Sequence, residues 1–273
     1  MSKLGYCSRS RAAELIRMGK VSVNRSVRKN PEFPVLLGKD IIVMDDVSIN
    51  QAPRIYVMLN KPQGLVTTAS DEHGRDTVFA CFEHSRLPHL SPVGRLDKAS
   101  EGLLLFTNDN AWADVITNPD THLDKTYHVQ ISGSVDTKRL AQLQKGIDDD
   151  GEHLRAREVK ILRQGEKNTW LEFTLDEGRN RHIRRMLEVF GIEVLRLIRI
   201  QIGSLALGNL PKGKWRELTK HEVQKSREPL IRRSESPPGS SKRAPDKPPR
   251  PAAGVPRGRA APETAAPQNP SRG

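Results

Sequence analysis

The 273-residue sequence predicts an α+β fold built on a mainly antiparallel sheet. Three observations lead there. Strand-patterned segments outnumber helix-patterned ones, helices do not regularly separate the strands as parallel crossovers require, and no repeat of fixed period runs along the chain.

The first element is SRSRAAELIRMGKVSVN at 8–24. Ala12, Leu15 and Ile16 form an apolar stripe, Gly19 is a helix stop and VSVN alternates with period two, so a helix followed by a strand is expected. A polar, proline-containing stretch, DVSINQAPR, then marks a boundary. Beyond it IYVMLNKP, GLLLFT, TYHVQIS, TWLEFTL and EVLRLIRIQIG read as strands, and DTKRLAQLQKGI and RNRHIRRMLEVF as helices. Trp112, Trp170 and Trp215 each lie in or beside an apolar pattern and are expected in the core. From Ser226 onward the chain holds eleven of its nineteen prolines and no aromatic residue, so it cannot bury a core and is expected to be disordered. The expected parts are a module at 1–46, a body at 54–225 and a tail at 226–273.

Net charge is +12, and its placement is informative. Residues 1–46 hold nine Lys or Arg against five Asp or Glu, and 226–273 hold ten against four, which leaves the body nearly balanced. Two basic ends around a balanced body suit a polyanionic partner, although basic tails also serve solubility. The longest apolar run, Leu103 to Phe106 with its flanks, falls far short of the roughly 20 residues that span a bilayer, so no membrane partner is expected. Cys7 and Cys81 form no CxxC pair, and a reducing, cytoplasmic setting is the expectation.

Familiar catalytic motifs are absent: the chain has no P-loop, GxGxxG, GxSxG or HExxH. His84 and His89 follow Cys81 without a paired ligand cluster, so neither metal nor cofactor is expected. Attention falls on GRLDKASEGLLLFTND (94–109), a polar turn that carries Asp97 into an apolar strand. With Glu101 four residues on, Asp97 suggests paired-carboxylate chemistry, which requires a separation that only a structure gives. Taken alone, Asp97 reads as a turn or helix cap.

Its companions change that reading. LNKPQGLVTTASDEHGRDTV, SPVGRLDKASEGLLLFTND, LDKTYHVQI and EGRNRHIRRMLEVFGIEVLRLIRIQIGSLALGNLPKGKWREL occur in this order. Together they resemble the RsuA-type pseudouridine synthases of ribosomal RNA from about Arg54 to about Val223. The preceding SKLGYCSRSRAAELIRMGKVSVN and LLGKDIIV resemble the alpha-L RNA-binding module first known from a small-subunit ribosomal protein. Only MSKLGY stands before the turn where that family has a fuller first helix, so a module shortened at its start is expected.

The resemblance implies isomerisation of a specific uridine in ribosomal RNA, on the free RNA or within pre-ribosomal particles, by a monomeric enzyme without cofactor. It makes Asp97 the nucleophile or the base, puts Tyr127 against the target base, and associates Arg95 with opening the RNA around an extruded nucleotide. Lys61 and Gly94 are expected to shape the cleft floor rather than to carry chemistry. On the RNRHIRRM helix, Ile183, Met186, Leu187 and Phe190 share one face, Arg184 sits at its shoulder, and Arg181 and Arg185 point more nearly the opposite way, toward solvent or RNA phosphate. Arg184 also matches the family arginine that pairs with the catalytic carboxylate. In the N-terminal helix Arg9, Arg11, Arg17 and Lys20 are candidate phosphate contacts or simply a solvated face. The rival to an enzyme is a non-catalytic RNA-binding ribosome-assembly factor on the same fold, for which intact Asp97, Tyr127 and Arg184 would be needless.

Overall fold

The structure is a computed structural model that describes residues 1–50, 52–68 and 74–234, with side chains as far as Arg227. Its first element is a 3-10 turn, Ser2–Leu4. Ser8 then starts α1 (Arg9–Arg17) by accepting a hydrogen bond from the Arg11 amide at 3.2 Å. The helix buries Ala12 and Leu15 against β1 (Val21–Val23), which pairs antiparallel with β2 (Ser26–Arg28) and β3 (Ile42–Met44). A fourth strand, β4 (Val47–Ser48), pairs with β3, and the buried Ile49 joins Leu4, Leu15, Val21 and Ile42 in one small core. The module therefore extends beyond the expected boundary at residue 46, because its core needs Ile49.

The body is one sheet of nine strands among the described residues. In chain order the elements are β5 (Tyr56–Lys61), β6 (Ser91–Val93), β7 (Glu101–Thr107), α2 (Asn110–Thr117), β8 (Lys125–Ser132), α3 (Thr137–Lys145), β9 (Ile147–Asp149), β10 (Glu152–Leu154), β11 (Glu158–Gln164), β12 (Asn168–Leu175), α4 (His182–Glu188), β13 (Val194–Ile202), β14 (Leu205–Ala206), β15 (Trp215–Glu217) and α5 (Lys220–Ser234). The sheet runs β11-β12-β8-β13-β7-β5-β15, with β14 beside β13 and β6 beside β7, while β9 and β10 form a separate hairpin. Among these described pairings only β7 with β13 is parallel, so the expected α+β, mainly antiparallel class is the class observed.

Alternation along β8 and β12 sends Val129, Ile131, Leu171 and Phe173 under α3 and α4, which contribute Leu140, Leu143, Ile183, Met186 and Leu187. Each large side chain buried there contributes roughly 1.5–3 kcal/mol relative to exposure. The seven residues of β7 are all buried, Leu103 and Leu105 against Trp112 and Ile116 of α2, Leu104 and Phe106 against Val78, Leu90 and Leu96. A strand covered on both faces explains the unbroken apolar run that ends the GRLD segment.

Two expectations change. Ser226, the expected start of disorder, lies inside α5 and is buried, its Oγ accepting a 2.9 Å hydrogen bond from Trp112 Nε1. Arg227 donates to Asp109 at 3.0 Å and to the Tyr56 hydroxyl at 3.2 Å. A helix that satisfies buried polar groups of α2 and β5 belongs to the fold, whatever its proline content, and the remainder of the expected tail, from 235, lies outside the described residues. Trp112 is fully buried and Trp215 packs half-buried beside Phe82. Trp170, by contrast, stands on the face of β12 away from the helices, 5.7 Å from the Arg196 guanidinium. Among the described residues no helix is long and apolar enough to cross a membrane.

Gly102 is where the parallel junction is made. Its φ is 101°, and a Cβ added there would lie 2.3 Å from the Arg199 carbonyl oxygen and 2.9 Å from its amide nitrogen. Gly102→Ala is expected to cost about 3 kcal/mol or more in urea unfolding, because neither backbone can retreat. For α5, a chain ending at Lys225 should be less stable than one ending at Ser234 by about 2 kcal/mol, the order expected when Trp112 and Asp109 lose buried partners. Equal unfolding midpoints would place the helix outside the cooperative fold.

Candidate active site

Five successive carbonyls of the turn before β7 are each held from outside their own residue. Thr67 Oγ1 donates to Leu96 O at 2.8 Å, Lys61 Nζ donates to Asp97 O at 3.1 Å and to Ser100 O at 2.8 Å, Gly64 N donates to Lys98 O at 2.8 Å, and Arg184 Nη2 donates to Ala99 O at 3.1 Å. Ser100 N closes the turn on Asp97 O at 3.0 Å. The backbone is thereby immobilised while the Asp97 side chain stays uncommitted: among the described residues no donor hydrogen-bonds its carboxylate. An aspartate that caps a turn spends its oxygens on nearby amides. Asp97 does not.

The carboxylate, half-buried, faces a cleft of about 490 Å³. One wall is the Gly94–Asp97 turn with Ser100; the floor is the sheet, presenting Lys125 and Tyr127 from β8, Leu175 from β12, and Leu197 and Arg199 from β13; the far wall is 177–181 and the first turn of α4. Tyr127 is buried, with Phe173 and Arg199 as its register partners on the neighbouring strands. Arg95 is exposed at the rim. Arg181 holds a left-handed backbone (φ 48°) just before α4, an uncommon conformation for a residue with a side chain. Six cationic side chains face two carboxylates around this cleft, Asp97 and Glu177. A larger, more open hollow of about 650 Å³ lies elsewhere, beside His122, Asp124, Arg157 and Gln201. It contains none of the expected site residues, and its Arg157 and Asp124 are bound to each other at 2.7 Å.

The expected site residues divide. Asp97, Tyr127, Arg184, Arg95 and Arg181 converge on the cleft. Arg184 is not, however, in direct contact with Asp97: its guanidinium is spent on Ala99 O and, at 3.3 Å, on Val194 O, and it senses the carboxylate only as a nearby charge. Burial lowers its pKa, Arg181 adds to that, and Asp97 opposes it. Arg185 leaves the candidate RNA contacts. The β9–β10 hairpin occupies the face of α4 that the helical pattern assigned to solvent, and Arg185 is ion-paired there with Asp149 at 2.6 Å and with Glu152. Glu101 also faces away from the cleft. Burial alone would raise its pKa, but hydrogen bonds from Arg196, at 3.1 and 3.0 Å, and from Lys212 hold it below the ordinary value. Paired-carboxylate chemistry with Asp97 is thereby removed.

On the N-terminal module Arg11 pairs with Glu14 at 2.7 Å and Lys20 lies 3.9 Å from Asp45. Arg9 and Arg17 are exposed and, among the described residues, have no ion-pair partner. The sequence reading passed over Lys125 and Arg199. The signal was present for both, since Lys125 precedes Tyr127 by two on one strand and Arg199 interrupts an apolar strand.

Lys61 is fully enclosed, and its third hydrogen bond goes to Pro62 O at 3.1 Å. Burial lowers its pKa to about 8, with Asp97 and Glu101 opposing. In the unfolded chain an ordinary lysine keeps its proton to about pH 10.4. Between those values the unfolded state binds the extra proton, so this group's contribution to stability rises with pH. The stability of the parent chain relative to Lys61→Met is therefore expected to increase from pH 8 to pH 10 in parallel urea titrations. A difference that stays flat or falls would show that Lys61 does not titrate in this window.

Comparison with known proteins gives the site its context. A family model described as RNA pseudouridylate synthase matches residues 55–189, and an S4 domain model matches residues 1–42. An uncharacterised RNA pseudouridine synthase of Rickettsia prowazekii is 38% identical over 226 residues, covering 82% of this chain and 94% of its own. The ribosomal large subunit pseudouridine synthase B of Bacillus subtilis is 36% identical over 226 residues, 82% of this chain and 91% of that protein. A crystal structure of a pseudouridylate synthase superimposes with a TM-score of 0.58 at 32% identity, over 80% of this chain and 94% of that one. With the GRLD turn, the KTY strand and the RNRHIRRM helix gathered at one cleft, the chain belongs to the RNA pseudouridylate synthase family, an isomerase with an S4 domain at its N-terminus.

Proposed function

We propose that this enzyme converts a specific uridine of ribosomal RNA into pseudouridine, with Asp97 as the reacting carboxylate. The observation that carries the reading is that Asp97 is held rigid through its backbone while its carboxylate is left uncommitted at a cleft floored by Tyr127. The reaction breaks the bond from ribose C1′ to N1 of the uracil, turns the base, and joins C1′ to C5. The proton lost from C5 is balanced by one gained at N1, so no redox partner, phosphoryl donor or metal enters. A carboxylate serves either as nucleophile at C1′ or as base toward a ribose proton, and both uses suit an aspartate free of hydrogen bonds. Tyr127, at the floor, packs against the base and assists proton transfer from C5.

An enclosed cleft cannot take a stacked base, so the uridine is extruded, and Arg95 at the rim occupies the space it leaves. Arg184 serves as a positioning residue through Ala99 O, with its charge stabilising the ionised Asp97 at longer range. Ribosomal RNA as substrate is supported by the Bacillus subtilis relative, which is named for the large ribosomal subunit. The N-terminal module docks structured RNA, with Arg9 and Arg17 as its uncommitted phosphate contacts. The enzyme acts as a monomer in the cytoplasm, on free RNA or within a pre-ribosomal particle.

Asp97→Ala and Asp97→Asn are expected to reduce pseudouridine formation by at least about 10²–10⁴-fold, while RNA affinity stays within a factor of two to three, by the standing spread of such measurements. Mapping pseudouridines in ribosomal RNA from cells with the gene, without it, and with the Asp97→Asn form tests this. A site modified equally in all three would sink the reading. Removing residues 235–273 should weaken binding at low salt and flatten its salt dependence without moving the modified position.

A further inference from the structure

We propose that Lys125 and Arg199 form a phosphate-holding cation pair on either side of Tyr127, which takes a backbone phosphate adjoining the uridine in the cleft. The inference rests on the proposed function and assigns these two residues a part in substrate binding.

Three observations converge. Arg199 is 5% exposed, and only its Nε is committed, donating to Leu103 O at 2.8 Å; its Nη2 is enclosed without a partner although the residue lines the cleft. A buried guanidinium nitrogen left unpaired is costly and uncommon. Lys125 stands two residues before Tyr127 on the same face of β8, and Arg199 is the register partner of Tyr127 on β13, so the two cations flank the tyrosine. The nearest carboxylates are already taken. Asp124 is bound in both oxygens by Arg157 at 2.7 Å, and Asp176 is paired with Arg155 at 3.1 Å.

Burial and the Arg199 charge both lower the pKa of Lys125, as expected for two cations without an anion between them. Lys125 donates only to the carbonyl of Leu123, at 3.1 Å, which leaves further donors available. The chemistry proposed at Asp97 uses neither residue, and a neutral residue would fill the floor at lower cost. What two adjacent, partly dry cations favour is one tetrahedral oxyanion with oxygens to share, and in an RNA strand that is the phosphodiester.

The test uses small probes, so that it does not depend on the target uridine. Dissociation constants of uridine 5′-monophosphate, uridine 3′-monophosphate and uridine are measured by NMR titration on the full chain. At least one monophosphate is expected to bind the parent protein about tenfold more tightly than uridine, and the ratio is expected to fall toward one in Lys125→Gln. Arg199→Gln should do the same. Because Arg199 also ties β13 to β7 and its loss weakens the fold itself, Lys125→Gln is the deciding variant, with Lys125→Arg expected to restore the ratio. Undetectable monophosphate binding, equal binding of monophosphates and uridine, or a ratio that survives in Lys125→Gln overturns the phosphate site. Such a result in a protein that still makes pseudouridine refutes the phosphate site alone; a protein that keeps the preference and makes no pseudouridine refutes the proposed function alone.

Discussion

The ammonium of Lys61 is the contact on which the cleft depends. It is closed off from water and hydrogen-bonded to three carbonyls, two of them in the turn that carries Asp97. A buried cation without a directly bonded carboxylate is expensive, and carbonyl dipoles offset that cost only if all of them converge at hydrogen-bond distance. The same convergence pins the turn to β5. Thr67, Gly64 and Arg184 then hold the remaining carbonyls, so the position of Asp97 is set by hydrogen bonds to its turn from two separate segments, residues 61–67 and α4.

That arrangement divides the labour among the charged groups around the turn. Groups that hold the backbone, Lys61 and Arg184, are spent on carbonyls. Glu101 is neutralised by Arg196 and Lys212 on the other side of the strand, which lets an ionised carboxylate sit at the start of a buried β7 without disturbing the cleft. Among the described charged groups around the turn, Asp97 alone keeps its oxygens free of hydrogen bonds. A carboxylate poised in this way is worth little to stability, and the proposed function gives it its use.

Packing of the sheet makes the turn's rigidity possible. β7 is covered on both faces, and its junction with β13 closes to a distance that admits no side chain at Gly102. Through that junction Arg199 reaches the cleft floor beside Tyr127. The α5 helix acts at the far end of the same strand, where Ser226 and Arg227 satisfy Trp112 and Asp109 and so fix the exit of β7 into α2.

Much of this was legible in the residues. Period-two alternation marked β8 and β12, short apolar runs marked β5, β7 and β13, the helical stripe oriented α4 with Ile183, Met186 and Leu187 inward, and the ordered motifs named Asp97, Tyr127 and Arg184 because local pattern and family resemblance are properties of the chain itself. Composition misjudged α5, since a proline-rich average over 48 residues hides a helix whose stability comes from two contacts with residues more than a hundred positions away. Helical geometry placed Arg185 outward but could not show the β9–β10 hairpin waiting there with Asp149 and Glu152. Nor could it show that Arg184 reaches Asp97 by way of Ala99 O. The sequence by itself determined the fold class, the principal strands with α3 and α4, and which carboxylate stands at the turn. Only the tertiary structure decided which charges are spent on one another and which remain for a ligand, because pairing depends on distances between segments far apart along the chain.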